Sequence, residues 1–175
     1  MVAPASSRHP KCSRNGGATT FAMLRAQPGT YALVLRLDHL VSVRIGRLGN
    51  LRLARGFYVY LGSALGPGGL RARVAHHQRA AQRPHWHIDY LRAHTQLERI
   101  WFSYDARRRE HQWAGVLPRV VRTAKALVGF GASDCTCASH LYFLRHRPSL
   151  PRFLRGLRAL DPTHPPLDEW ASETL

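Results

Sequence analysis

The stretch GFYVYLGSALGPGGLRARVAHH, residues 56–77, decides how this chain is read. It begins as a tyrosine-rich β-type run in which Tyr58 and Tyr60 sit two apart, so both project from one strand face. A loop of glycines around one proline follows, and then a helical run with Leu70, Val74 and His77 along one side. Arg73 and His77 are four apart and share a helix face. The loop is flexible enough to let strand face and helix face converge. A phenol, a guanidinium and an imidazole around one point suit phosphodiester chemistry. Arginine holds and neutralises phosphate, and a phenol or imidazole takes a proton from an attacking water. Without further context the same residues also fit packing tyrosines and a solvated Arg/His helix face.

Outward from this stretch, GTYALVLRL (29–37) reads as a strand. Tyr31, Leu33, Leu35 and Leu37 take one face, and Thr30, Ala32, Val34 and Arg36 the other. Residues 29–62 are expected to form a small sheet of about three antiparallel strands, with Gly62 ending the last of them. Helices are expected over 70–81, in HWHIDYLRAHT after Pro84, and in REHQWAGVLPRVVRTAKAL with an interruption near Pro118. LERIWFSYD reads as a strand, and GFGASDCTCASHLYFLRH as a Gly turn, a polar Cys/His knot and a closing strand. The order β-β-β-α-α-β-α-β predicts an α+β domain over residues 27–147, a small, mostly antiparallel central sheet flanked by helices. Residues 1–26 are expected to be a disordered basic tail, in preference to a transit peptide of similar composition. Residues 148–175 are expected to be a Pro-rich tail with one short helix available at RFLRGLRAL.

Charge narrows the class. The chain carries 26 Lys plus Arg against 10 acids, a net charge of +16 before any histidine titrates. Only Lys11 and Lys125 are lysines, so the basic set is almost all arginine, whose planar fork suits phosphate oxygens. Such a charge favours a polyanionic partner, nucleic acid above all. An arginine-rich coding bias is the bland alternative. No apolar run approaches the roughly 20 residues needed to span a bilayer, so no membrane role is expected. Three cysteines, Cys12, Cys135 and Cys137, argue for a reducing, cytoplasmic setting.

Gly29-Thr30-Tyr31 on the first strand and Tyr60-Leu61-Gly62 on a later one resemble the two signature triplets of the GIY-YIG nuclease superfamily. Leu70, Arg73 and His77 match the Leu-x-x-Arg…His pattern of the helix that follows in that family. Combined with HWHIDYL and GFGASDCTCASHLYF, the pattern is similar to the Uri-type predicted endonucleases, over about residues 28–146. The chain departs from the wider superfamily in two places. Twenty-eight residues, 32–59, separate Tyr31 from Tyr60 instead of a short hairpin, and Thr30 stands where the first triplet has Ile.

The resemblance implies a metal-dependent endonuclease acting on DNA. Tyr60 would be the general base or would position the water, with Tyr31 tuning its hydroxyl and His77 as an alternative base. Arg73 would bind the scissile phosphate, with Arg71 and Arg79 adding contacts to nucleic acid. The superfamily's metal-holding glutamate maps to Glu110 in RREHQWAGVL, where one Mg²⁺ or Mn²⁺ would sit. A lone carboxylate with waters and substrate phosphate suits such an ion, and a helix N-terminal Glu interacting with the helix dipole is the plain alternative.

In CTCASH, Cys135, Cys137 and His140 offer zinc-type donors, with His85 and His87 in HWH. C-x-C-x-x-H lacks the usual separation of paired cysteines and needs a distant fourth ligand, so packing thiols are expected rather than Zn²⁺. Asp134 and His85 extend the site if they approach the Tyr/Arg cluster. Two alternatives stay open beside the nuclease: a module that holds DNA or RNA without cutting, and a small zinc-stabilised interaction domain.

Overall fold

The computed structural model describes residues 24–78 and 83–172. In chain order, β1 (Gly29–Leu37) is followed by β2 (Val41–Ile45), β3 (Gly49–Leu53) and β4 (Gly56–Ala64). Helices α1 (Gly69–Gln78) and α2 (His87–Arg92) lead to β5 (Gln96–Tyr104) and α3 (Glu110–Val120). The chain then passes through β6 (Lys125–Ala126), β7 (Leu141–Leu144), α4 (Leu150–Leu160) and β8 (Asp168–Ala171). The fold is α+β: a six-stranded antiparallel sheet in the order β6-β7-β4-β1-β5-β8, with helices on both faces.

β1 is apolar on both faces and so takes a central place, where each face can be covered. Tyr31, Leu33, Leu35 and Leu37 pack with Leu70 and Val74 of α1, Ile88 and Leu91 of α2, and Val43, Ile45 and Leu53 of the β2–β3 hairpin. Ala32 and Val34 face the other way, onto Trp113, Val116 and Leu117 of α3 and Phe153 and Leu157 of α4. The sheet is therefore the middle of three layers.

Three sequence expectations need correction. Residues 29–62 hold four strands, and β2 and β3 pair only with each other, folding back over one face of the sheet. β4 does not stop at Gly62 but runs to Ala64, because Tyr31, Thr30 and Gly29 of β1 continue its ladder. The described part of the segment after Arg147 is no tail. Phe153 and Leu157 bury against α3, and β8 adds to the free edge of β5, where Glu169 accepts from Arg99 Nη1 at 2.9 Å and from Trp101 Nε1 at 2.8 Å. Of the expected N-terminal tail, residues 1–23 with Cys12 lie outside the described residues, as does Arg79.

Two local features explain how the sequence tolerates its glycines and prolines. Gly68 (φ 78°) and Gly69 (φ 51°) turn the chain into α1 in the left-handed region, and the amide of Leu70 then donates to the Gln27 carbonyl at 2.9 Å. Pro118 sits inside α3, where it supplies no N–H to the Ala114 carbonyl one turn back. The Tyr142 hydroxyl of β7 donates to that carbonyl instead, at 2.8 Å, so the helix runs on to Val120 before ending.

Candidate functional site

β1 and β4 run antiparallel with Tyr31 opposite Gly62. The missing side chain at Gly62 makes room for the Tyr31 ring: a Cβ there would lie 2.5 Å from the Tyr31 hydroxyl oxygen. Tyr31 thereby reaches α1, and its hydroxyl lies 2.8 Å from Nε2 of His77. Both side chains are buried. Burial, with Tyr60 next in weight, raises the Tyr31 phenol well above its ordinary range. Burial, aided by His76, pulls the His77 imidazole down to about 3, so it is neutral near pH 7. His77 therefore sits behind the cleft, with Tyr31, Tyr60, His76 and Trp86 packed around its ring.

Tyr60 stands between this buried pair and the solvent. Its ring centroid is 6.4 Å from that of Tyr31 and 6.2 Å from that of His77. Burial raises its phenol to about 12, against a lowering pull from the Arg73 charge. Tyr60 lines a cleft of about 430 Å³ whose other walls include Ser63, Trp86, Arg108, Glu110, His111 and Asp134. His85, His87 and His140 also face it.

Glu110 begins α3 and is brought to the cleft by its neighbour. Arg109 is buried and joined to Asp105, and its Nη1 donates to Asp161 at 2.7 Å, tying the helix start to the end of α4. Its amide donates to Thr30 Oγ1 on β1 at 3.3 Å. Thr30 thus anchors the start of α3 beside the sheet. Glu110 itself is buried, accepts from the Ser63 hydroxyl through Oε2, and has Arg108 Nη1 and His111 Nε2 each 3.6 Å from Oε1.

Arg73 occupies the outer side of the same wall. Its guanidinium lies 4.3 Å from the Trp86 ring centroid, in a shallower depression with His76 that Trp86 separates from the main cleft. Among the described residues it has no carboxylate partner, which leaves its N–H groups for an anion. Trp86 is set by Asp89, which accepts from the amides of His85 and Trp86 and from His76 Nε2, each at 3.0 Å. Burial would raise the Asp89 carboxyl, but those hydrogen bonds outweigh it and hold it low. Arg71 is exposed on α1.

The structure thus brings Tyr60 and Glu110 into one cleft and puts Tyr31 and His77 behind it, but it leaves Arg73 outside, across Trp86 in a separate depression. Asp134 and His85 line the same cleft. Arg108 and His111 are sequence neighbours of Glu110 that read as basic company for its carboxylate, whereas Ser63 escaped the sequence reading. Ser63 had a signal, since it directly follows the Tyr60-Leu61-Gly62 triplet on an extended strand. The larger cavity, about 810 Å³, lies at the other end of β4 beside Arg55, Lys125 and Arg145 and holds no tyrosine hydroxyl among its lining groups.

Residues 30–159 match the family model described as "Domain of unknown function DUF123". The chain belongs to the DUF123 family. No curated protein and no solved structure matches it. The DUF123 match begins at Thr30 and takes in Tyr31, Tyr60, Arg73, Glu110 and the Cys/His loop, so the whole candidate site lies within the family domain. It also includes nearly all of α4, in keeping with the packing of that helix against α3. Among the described residues no helix of this DUF123 chain is long and apolar enough to cross a membrane.

Proposed function

We propose that this DUF123 chain is a GIY-YIG-type endonuclease that hydrolyses phosphodiester bonds in DNA with the help of a divalent cation. One observation carries the reading: Tyr60 of β4 and Glu110 of α3, fifty residues apart, line the same cleft. The Uri-type sequence pattern and the net charge of +16 support it.

A phosphodiester seated in the cleft meets Arg108, which neutralises its charge, and Arg73, in the depression beyond Trp86, would hold a neighbouring phosphate of the same strand. Tyr60, a neutral phenol at pH 7, accepts a hydrogen bond from the attacking water and aims it at phosphorus. The water oxygen forms the new P–O bond as the bond to the leaving ester oxygen breaks; the water's proton passes to solvent through the open cleft, and the leaving oxygen takes a proton from solvent there. Tyr31 and His77 fix the position of the Tyr60 ring from behind.

The donor set fits a divalent ion. Glu110 is a buried carboxylate that opens on a polar cleft, and one such ligand suits Mg²⁺ or Mn²⁺ that keeps its waters and takes phosphate oxygens. Glu110 would hold the ion, which when bound supplies charge stabilisation to the leaving oxygen. The free thiols Cys135 and Cys137 favour a reducing, cytoplasmic setting.

A second reading, a module that binds DNA or RNA without cutting, is favoured by one contact: Glu110 is already engaged by Ser63. Incubation of supercoiled plasmid with the protein in Mg²⁺, in Mn²⁺ and in chelator separates the two. The endonuclease gives nicked circles in at least one metal and none in chelator. A module gives retarded plasmid, strongly weakened by salt, and no nicking under any condition.

A further inference from the structure

The loop between β6 and β7 holds Cys135, Cys137 and His140, and α3 brings a fourth donor to them. His111, 26 residues before Cys137, places Nδ1 3.2 Å from the Cys137 sulfur. Cys135 Sγ lies 3.5 Å from Nε2 of His140. One ligand atom from each of the four residues falls within 4.8 Å of all the others. Two separate S–H···N contacts would satisfy two pairs of groups, but nothing in such pairs requires all four atoms to converge on one point.

We propose that His111, Cys135, Cys137 and His140 form a structural Zn²⁺ site that staples the β6–β7 loop to the start of α3. Zn–S bonds of about 2.3 Å and Zn–N bonds of about 2.0–2.1 Å place S and N about 3.5 Å apart on the edge of a tetrahedron. The two measured S···N separations fall at or just below that edge. Two thiolates and two imidazoles make a closed, four-ligand set, the form of structural rather than catalytic zinc. The C-x-C spacing that disfavours zinc within the loop alone is no obstacle here, because the fourth corner comes from a helix.

The orientation of His111 supports the assignment. With Nδ1 turned to the sulfur, Nε2 faces Glu110 Oε1 at 3.6 Å. A metal-bound imidazole commonly turns its other N–H to a carboxylate in this way, which fixes its tautomer and ring plane. The Glu110 carboxylate is therefore steered from the zinc side by His111, and from the sheet side by Ser63. The same staple holds His140, whose carbonyl accepts from the Leu61 amide of β4 at 2.9 Å. Zinc binding displaces the two thiol protons, one from each cysteine, with no change of oxidation state.

The site stands independently of the nuclease reading, and its test reads no cleavage. Elemental analysis of the full chain, purified without chelator, is expected to find one zinc per chain. Replacement by Co²⁺ is expected to give the visible bands of a tetrahedral ion together with thiolate-to-cobalt charge transfer. Both thiols should resist a thiol reagent until zinc is removed. Cys135→Ser/Cys137→Ser should reduce zinc to background, and Glu110→Gln should retain it. Zinc at background in the wild-type protein, or Co²⁺ bound without charge transfer, overturns the proposal whether or not the variants fold. Full zinc retention in the double cysteine variant overturns it as well.

Discussion

The Tyr31 hydroxyl lies 2.8 Å from Nε2 of His77, and both side chains are buried behind Tyr60. The sequence resemblance gives Tyr60 the direct role and Tyr31 a supporting one, and the burial of Tyr31 against His77 is compatible with that division. Tyr60 faces the cleft, whereas Tyr31 acts through it. Tyr60→Phe is therefore expected to lower DNA cleavage by about 10²–10⁴-fold, the range for losing a proton-handling or water-positioning group. Tyr31→Phe is expected to cost less than tenfold in rate but about 1 kcal/mol in stability, since His77 loses its buried partner. Initial nicking rates and urea denaturation of both variants check the split. Equal rate losses would show that Tyr31 reaches the substrate.

Acid should weaken the fold through His77. Its pKa in the folded protein, about 3, lies below the ordinary 6.5, so the folded state binds fewer protons than the unfolded chain between those values. Its contribution is complete above pH 6.5 and is lost as the pH falls from 6.5 towards 3. The limiting slope for one such group is about 1.4 kcal/mol per pH unit. His164 is shifted the same way by burial, so the wild-type slope includes it. In urea melts at pH 7, 5.5 and 4.5, the His77→Gln variant should lose less stability on acidification than wild type. Parallel curves would mean that His77 is protonated without penalty in the folded state.

The Ala114 carbonyl tests the account of α3. With Pro118 providing no N–H one turn on, the Tyr142 hydroxyl is its partner. Tyr142→Phe leaves a buried acceptor unpaired and is expected to cost about 1–3 kcal/mol. In a Pro118→Ala background the restored amide can take the carbonyl, and the same Tyr142→Phe change should cost clearly less. A double-mutant cycle measures this coupling, and strict additivity would show that the two groups do not share the carbonyl.

Gly62 is required by the close approach of the Tyr31 ring. A Cβ at 62 would lie 2.5 Å from the Tyr31 hydroxyl oxygen and 2.6 Å from Cζ. Gly62→Ala must push the ring off His77, with an expected cost of about 1–3 kcal/mol, as for other overpacked cores. Thermal denaturation checks it. In a Tyr31→Ala background, where the ring is gone, the penalty should vanish.

The strands β1 and β4 were legible in the sequence because they are rich in β-branched, aromatic and other apolar residues and each opens on a glycine, whereas their central place follows from apolar residues on both faces of β1. The detachment of β2–β3 was not legible, since an alternating hairpin pairs equally well with any neighbour. β8 reads as a surface segment because Asp168 and Glu169 are acidic; its place depends on Arg99 and Trp101 of β5, far away in sequence. The helix at RFLRGLRAL was legible, but the packing of its Phe153 and Leu157 on α3 was not, because the intervening arginines and nearby prolines read as a tail. Tyr60, Glu110 and Arg73 were named from pattern, and the fold brings Tyr60 and Glu110 to the cleft but not Arg73. Ser63 was hidden because a serine on a strand is an ordinary type until the sheet and α3 bring it to Glu110.

The most direct measurement is cleavage of labelled duplex DNA by wild-type protein and by Glu110→Gln at matched occupancy, with affinity measured separately in the same buffer. The account predicts that DNA affinity is kept while Mg²⁺- or Mn²⁺-dependent cleavage is lost. Cleavage by Glu110→Gln at the wild-type rate, or no cleavage by the wild-type protein in either metal, would contradict it.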